Sequence, residues 1–367
     1  MASERAANSF TRSSIDNFAG GDTVKSNASS QTGDAQSSIA GDFGAGRREP
    51  PGSNDSADVP GRILSDSTWK AGLEWPAVLW IGSLHVGALA APFYFTWSGL
   101  VLAACLSWVT GCLGVCLGFH RLLTHSSFET YRPLKWTFAL FGTLAGEGPP
   151  IMWVSAHRKH HRFSDQEHDP HSPRDGGWWS HMTWMFPRYG SQHWAQLYRQ
   201  YAPDLLKDRF LRLLDRTFLW WQLLFGTSMF CAGWLVWDVH TGISLVVWGM
   251  FVRLLYVLHI SWAVNSASHK WGYRTYETHD DSRNLWWIGL LGWGEGWHNN
   301  HHAFQRVASH GHRWWELDMT YAVVALMERT GLAWNVIRLP VTGEKPMAAV
   351  PLINDTAPRC RPNEILC

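Results

Sequence analysis

Three histidine-rich runs carry the chemistry open to this chain: HRLLTH from His120 to His125, HRKHH from His157 to His161, and HNNHH from His298 to His302. In the second run His157, His160 and His161 stand at i, i+3 and i+4, which on a helix is one face. His298, His301 and His302 repeat that spacing. Two such faces, opposed across a small gap, present six ring nitrogens. His120 and His125 are five apart, which on an α-helix turns one away from the other by about 140°; the helix is expected to fray or bend there so that both aim inward. His269, at the end of Asn265-Ser-Ala-Ser-His269, is a ninth candidate. Asn265 lies one helical turn before it and suits a metal-bound water or a group orienting a ligand from behind.

Nine imidazoles exceed the four ligands of a tetrahedral zinc, so the count points to two metal ions. Neutral imidazole suits zinc, copper, iron and nickel. Zinc would support hydrolysis; two redox metals would support oxygen activation against an unactivated C–H bond. Ligand type leaves both open, and the apolar setting tilts toward iron. A lone HxxHH run is often no more than a surface helix; three runs on one predicted side of a membrane are not. The remaining histidines read differently. His168 and His171 flank Asp169-Pro170 and are placed behind the ligands. His85 and His259 lie inside apolar segments and read as satisfied polar groups. His181, His193, His240, His279, His310 and His312 read as interfacial or surface residues.

The elements that must position these groups are membrane helices. Hydrophobic residues make up 46% of the 367, charged residues 17%, and there are 25 Trp, a side chain that favours the lipid–water interface. Lys+Arg (31) and Asp+Glu (30) nearly cancel, so no basic field exists for nucleic acid. Four segments reach the roughly 20 apolar residues of a spanning helix: about 75–95, 98–119, 219–239 and 243–264. Short turns join them into two hairpins. Those turns carry no Lys or Arg, whereas the regions 121–216 and beyond Val264 carry many. By the positive-inside rule, the histidine runs and both termini are cytoplasmic. The expected fold is an all-α, multi-pass membrane protein of four transmembrane helices in two hairpins, with a cytoplasmic helical cap holding a histidine-ligated di-metal site.

Residues 1–62, rich in Ser, Gly, Asp and Asn, are expected to be disordered, and no cleavable signal peptide is expected. A membrane domain spans 63–340 and a tail 341–367. The segment 134–146 is apolar but short, and is expected at the interface or buried against the helices. The stretch 316–339 has helical periodicity and reads as a membrane-surface helix. The six cysteines show neither zinc-type pairing nor a disulfide pattern.

At these residues the chain resembles the membrane fatty acid desaturases, specifically the delta-9 acyl branch. The likeness rests on Gly118-Phe119-His120-Arg121, Trp153-Val154, the HRKHH run, and Asp169-Pro170-His171-Ser172. It continues through Gly177-Trp178-Trp179-Ser180-His181, Asn265-Ser266-Ala267-Ser268-His269, and Gly294-Glu295-Gly296-Trp297 leading into HNNHH. The resemblance implies a di-iron enzyme that removes two hydrogens from a long acyl chain, usually to give a cis double bond, using O2 and two electrons. It implies that His120, His125, His157, His160, His161, His269, His298, His301 and His302 bind the two irons, that Asn265 reaches one through water, and that Trp153 and Trp262 line the acyl tunnel. Ser155-Ala156 stands where animal acyl-CoA desaturases carry Arg-Asp, which places the chain nearer bacterial, cyanobacterial and plant members. The acyl carrier, whether coenzyme A, a lipid or another, stays open. No His-Pro-Gly-Gly haem motif occurs, so the electron donor is expected to be a separate protein, a ferredoxin or a small haem cytochrome. The rival readings are a hydroxylase or acetylenase of the same superfamily and, from another class, a non-enzymatic metal-binding or transport protein.

Overall fold

The computed structural model describes residues 69–339, and nearly all regular structure within them is helical. The expectations for residues 1–62 and 341–367, Cys360 and Cys367 among them, lie outside the described residues. In chain order come α1 (Trp75–Ala88), α2 (Trp97–Ser107), α3 (Arg132–Leu144), α4 (Pro150–Phe163), α5 (Gly177–His181), α6 (Ser191–Tyr201), α7 (Arg209–Arg216), α8 (Phe218–Val236), α9 (Val239–Val246), α10 (Arg253–Ser266), α11 (Trp286–Leu291), α12 (His298–Ala303) and α13 (Met319–Arg329). Two short strands, β1 (Glu129–Thr130) and β2 (Ala333–Trp334), pair antiparallel.

Among the described residues, three helices are long and apolar enough to cross a membrane: Trp97–Thr124, Phe218–Val236 and Val239–His269, of 28, 19 and 31 residues. The first is α2 continued by a π-helix over Trp108–Thr124. The third is α9, a π-helical stretch over Val247–Val252, α10, and a closing turn over Ala267–His269. Both run past their expected ends, because polar residues there are buried and bonded rather than solvated. Arg121 is fully buried, with Nη1 donating to Ala308 O (2.6 Å) and Asp318 Oδ2 (3.0 Å). The segment expected at 75–95 yields only the 14-residue α1. Its backbone turns from Leu89 onward. Pro92 has no N–H to continue the ladder and disfavours helix at the residue before it.

Small residues let the long helices touch. A Cβ on Gly114 would sit 2.4 Å from Gly142 N of α3, and one on Gly233 would sit 2.7 Å from Gly242 Cα, the backbone-to-backbone approach that glycine permits between apolar helices. Thr96 caps α2 through Gly99 N (3.0 Å) and shares a hydroxyl hydrogen bond with Ser244 of α9 (2.7 Å). Arg253, 1% exposed in the middle of the longest helix, donates to Gly249 O (2.7 Å), Leu144 O (2.6 Å) and Thr110 Oγ1 (3.1 Å). These bonds spare a buried cation the cost of unmet hydrogen bonds. The expected short segment at 134–146 is α3, packed on the π-helical part of the α2 helix, with Phe138, Ala139 and Gly142 buried. The apolar group of Phe119, Leu123, Ile151, Val154, Leu211 and Leu214 fixes α4 and α7 against the α2 helix. Asp215 accepts from Ile151 N (3.0 Å) and so satisfies the first turn of α4.

Candidate metal centre

All nine candidate imidazoles converge in two buried groups. His120, His125, His157, His161 and His301 form one; His160, His269, His298 and His302 form the other. Within each group, one ligand-capable atom per residue lies within 4.8 Å of every other. α4 therefore feeds both groups from one face, His157 and His161 to the first and His160 to the second, as its i, i+3, i+4 spacing allows. α12 does the same with His301 against His298 and His302. The five-residue gap between His120 and His125 is closed by neither fraying nor bending. The His125 N–H donates to the His120 carbonyl (3.2 Å), an i→i+5 bond, and the two rings lie 4.9 Å apart. A π-turn stacks residues five apart, where an α-turn would separate them.

The six-residue α12 is too short to hold itself together and is bracketed by asparagines. Asn284 Oδ1 accepts the N–H groups of Asn299 (3.0 Å) and Asn300 (3.2 Å). Asn299 Oδ1 accepts from Thr275 N and Tyr276 N, and Asn300 Nδ2 donates to His310 O (2.9 Å) and Glu316 Oε2 (2.8 Å).

Behind the imidazoles stand four carboxylates to which the sequence reading gave no role, although Asp169 and Glu295 lie in its quoted motifs. His160 Nδ1 meets both oxygens of Asp169 at 3.0 Å, His269 Nδ1 meets Asp165 Oδ2 at 2.8 Å, His302 Nδ1 meets Asp280 Oδ2 at 2.6 Å, and His120 Nδ1 meets Glu295 Oε2 at 2.5 Å. A carboxylate only accepts, so each Nδ1 carries the hydrogen and each Nε2 turns a lone pair inward. Asp165, buried, is held at about 2: burial pushes it up, and His269 together with the Asp281 N–H pulls it further down. Burial and the neighbouring imidazoles push His157, His161, His298 and His301 well below the usual histidine range. They stay neutral, the form that binds metal.

The donor set fits metal ions. Nε2 of His160 and His302 and both nitrogens of His125 are buried without a hydrogen-bond partner. The Nε2 atoms of His157 and His161, His161 and His301, and His269 and His298 approach to 3.0 Å, and those of His120 and His301 to 3.1 Å. Lone pairs converging at that spacing suit bonds to a metal of about 2.0–2.1 Å.

The other expected residues divide. His171 is buried and stacked on His160 (4.4 Å between rings), its own pKa lowered to about 3 chiefly by burial, so it does stand behind a member of the group. The ring of His168 meets Phe163 edge-on at 5.1 Å, and His168 is not a member of either imidazole group. His85 and His259 are satisfied polar groups as expected: Nε2 to Nε2 is 3.2 Å, and His259 Nδ1 continues to His181 Nε2 at 3.0 Å. His310, expected at the surface, is 1% exposed. Its backbone is pinned by Asp318 (2.7 Å to its N–H) and Asn300, which draws the ring to 4.3 Å from His301 and Nδ1 to 3.4 Å from Glu295 Oε2. A histidine between Ser309 and Gly311 carries no periodicity that would have placed it there.

A largely apolar cavity of about 540 Å³ opens onto these groups. His120, His157, His298 and Asn265 stand in its wall with Trp153 and Trp262, the two expected tunnel residues. Trp153 stacks on His157 at 4.8 Å, so the cavity wall and the centre share a surface. Trp153 Nε1 (2.8 Å) and Ser261 Oγ (3.0 Å) both donate to Glu147 Oε2, while Oε1 is buried without a partner. Burial raises the Glu147 carboxyl to about 7, only partly offset by those two donors. A raised pKa keeps the proton on: the neutral acid dominates below about 7 and the anion appears above. Acyl-chain binding is therefore expected to hold steady below pH 7 and weaken as pH rises through it, whereas Glu147→Gln removes the dependence. A parallel decline in both proteins, measured with a fluorescent fatty acyl probe, would rule out the neutral carboxyl.

The comparisons with known proteins agree with this geometry. The sequence profile of the family described as "Fatty acid desaturase" matches residues 73–338. The chain is 45% identical over 269 residues to the sn-1 stearoyl-lipid 9-desaturase of Anabaena variabilis, covering 73% of this chain and 95% of that protein. It is 44% identical over 283 residues to a chloroplastic palmitoyl-monogalactosyldiacylglycerol delta-7 desaturase of Arabidopsis thaliana (76% and 72%). It is 43% identical over 290 residues to an acyl-CoA 5-desaturase of Anemone leveillei (77% and 86%).

Proposed function

This chain belongs to the fatty acid desaturase family, and from that premise we propose that it introduces a cis double bond at carbon 9 of a long, lipid-linked acyl chain. It is an oxidoreductase acting on a fatty acyl group. What supports the reading most is the pair of buried imidazole groups opening onto one apolar cavity. The carbon-9 position and the lipid carrier rest on likeness to the Anabaena variabilis protein. Ser155 and Ala156, buried beside the cavity, offer no charge to a polar carrier such as coenzyme A.

We assign two irons, one to each histidine group, with Asn265 placed to bind one through water. When bound, the metals supply O2 activation and hydrogen removal from carbon. The reaction takes two hydrogens from neighbouring methylenes and, with two electrons and two protons, reduces O2 to two waters. The chain's own residues do the rest. The nine imidazoles hold the ions; Asp165, Asp169, Asp280 and Glu295 fix ring orientation. Trp153 and Trp262 position the acyl chain, and positioning is where much of the rate arises. The neutral Glu147 adds no charge beside Trp153, and the largely apolar wall excludes water. Electrons come from a separate ferredoxin or small haem cytochrome. For topology we propose four membrane crossings in two hairpins, α1 with α2 and α8 with α9–α10, the histidine groups and both termini being cytoplasmic. The helix α13 lies on the membrane surface, its Met319 and Leu326 side chains exposed.

Expression in a host lacking its own desaturases, followed by gas chromatography with double-bond location, tests this. New 9-monoenes in membrane lipid are expected. A hydroxy acid without a new alkene, or no oxygen-dependent product in iron-loaded membranes, rejects it.

A further inference from the structure

The two histidine groups differ sharply in the charge behind them. In the four-histidine group, three members donate to a carboxylate: His160 to Asp169, His269 to Asp165 and His302 to Asp280. In the five-histidine group only His120 does, to Glu295. The second oxygen of Glu295 is taken by the fully buried Arg121 at 3.1 Å, a cation that Asp318 shares. The four-histidine group has nearby cations too, but none bonded to a carboxylate oxygen that holds one of its histidines; Lys159 acts on Asp169 only through space. Arg174 bonds the Asp165 backbone carbonyl and pairs with Asp281, and its side chain is 55% exposed, where water screens it. Arg158, bonded to the carbonyls of Leu123 and Thr124 and paired with Asp204, adds positive charge beside the five-histidine group instead. The fifth imidazole adds a neutral donor and no charge.

We propose that the two groups hold their metal ions at unequal reduction potentials, the ion of the four-histidine group being the harder to reduce. Two effects act in the same direction. A carboxylate accepting the Nδ1 hydrogen makes the imidazole a more basic ligand. Buried negative charge favours the more highly charged ion directly, since little water intervenes. The step is ferric ion plus one electron giving ferrous ion, with the ligands unchanged and no proton moved. The first electron from a donor then settles on the five-histidine side. Asp165, Asp169 and Asp280 are thus positioning residues that also set the order of reduction.

The proposal rests on the two-iron reading, and the test separates the two. The full-length protein, loaded with ⁵⁷Fe and held in detergent, is assayed for iron and for oxygen-dependent alkene formation. It is then reduced stepwise with dithionite under argon while Mössbauer spectra are recorded. Fewer than two irons per chain and no alkene would defeat the function reading itself. With two irons bound, two ferric doublets of similar area are expected. At one electron per chain the ferrous-to-ferric ratios of the two should differ by about tenfold or more, the scale on which partners behind a ligand act. Asp280→Asn should advance the lagging doublet and leave the leading one in place. Asp165→Asn should do the same, and serves if the first variant folds poorly. Two doublets that shrink in parallel in the unmodified protein overturn the proposal, as does either variant shifting the leading doublet alone.

Discussion

His301→Ala is expected to lower alkene formation by more than about a hundredfold, beyond the loss that follows when only a partner behind a metal ligand is removed. His301 Nε2 lies 3.0 Å from that of His161 and 3.1 Å from that of His120, at the middle of the five-histidine group, and the residue is 1% exposed. His310, the nearest spare ring, has its backbone fixed at both ends, so it could fill the gap only by turning its side chain away from its present seat. The variant should still enter membranes, because the long apolar helices are untouched, and should lose iron from one group while the other keeps it. His240→Ala, at an exposed site in the first turn of α9, should leave iron content and product unchanged. Iron content and product analysis on the two variants side by side decide the matter. Full activity in His301→Ala would remove the basis for a metal centre at these residues.

Asp169→Asn is expected to cost about 10–100-fold in iron affinity or turnover. Asp169 is fully buried and accepts four hydrogen bonds: His160 Nδ1 at 3.0 Å to both oxygens, Asp165 N (2.8 Å) and His171 N (3.1 Å). An amide of the same shape turns a donor toward one of those donors, so the His160 ring loses its fixed tautomer. Burial alone would raise this carboxyl, but His160, His171 and the Asp165 N–H hold it well below the usual range. A depressed pKa means its stabilisation is present above the ordinary carboxylate value of about 4 and is lost as pH falls through the lower folded value. The unmodified protein should therefore lose stability on acidification more steeply than Asp169→Asn, read as melting temperature against pH in the metal-free form. Equal slopes, with iron binding unchanged, would show Asp169 to be a bystander.

What was readable in the sequence and what was not follows from how each feature is encoded. The trios His157-His160-His161 and His298-His301-His302 declared themselves because a helix converts i, i+3, i+4 into one face without help from the rest of the fold. Their division between two groups was not readable, since it depends on which neighbouring helix each ring meets. The carboxylates illustrate the same limit. Asp169 sits within a recognisable motif, yet Asp280 lies in an irregular stretch more than twenty residues before its partner His302, where only tertiary structure joins them. The overrun of the long helices was hidden because Arg121 and Ser266 look like helix ends until their partners are known. Pro92, by contrast, was a visible reason to shorten the first apolar segment.

The wide turns over Trp108–Thr124 have a last consequence, for what kinds of genetic change the region withstands. In this region single exchanges outside His120, Arg121 and the closely packed glycines Gly111, Gly114 and Gly118 cost packing energy but keep the register. Its length is another matter. Losing one residue between Trp108 and His120 would rotate everything downstream by a large fraction of a turn about the helix axis. One imidazole would then leave its partners while the membrane anchor stayed apolar and intact. In-frame single-codon deletions here should yield stable, membrane-inserted, inactive protein.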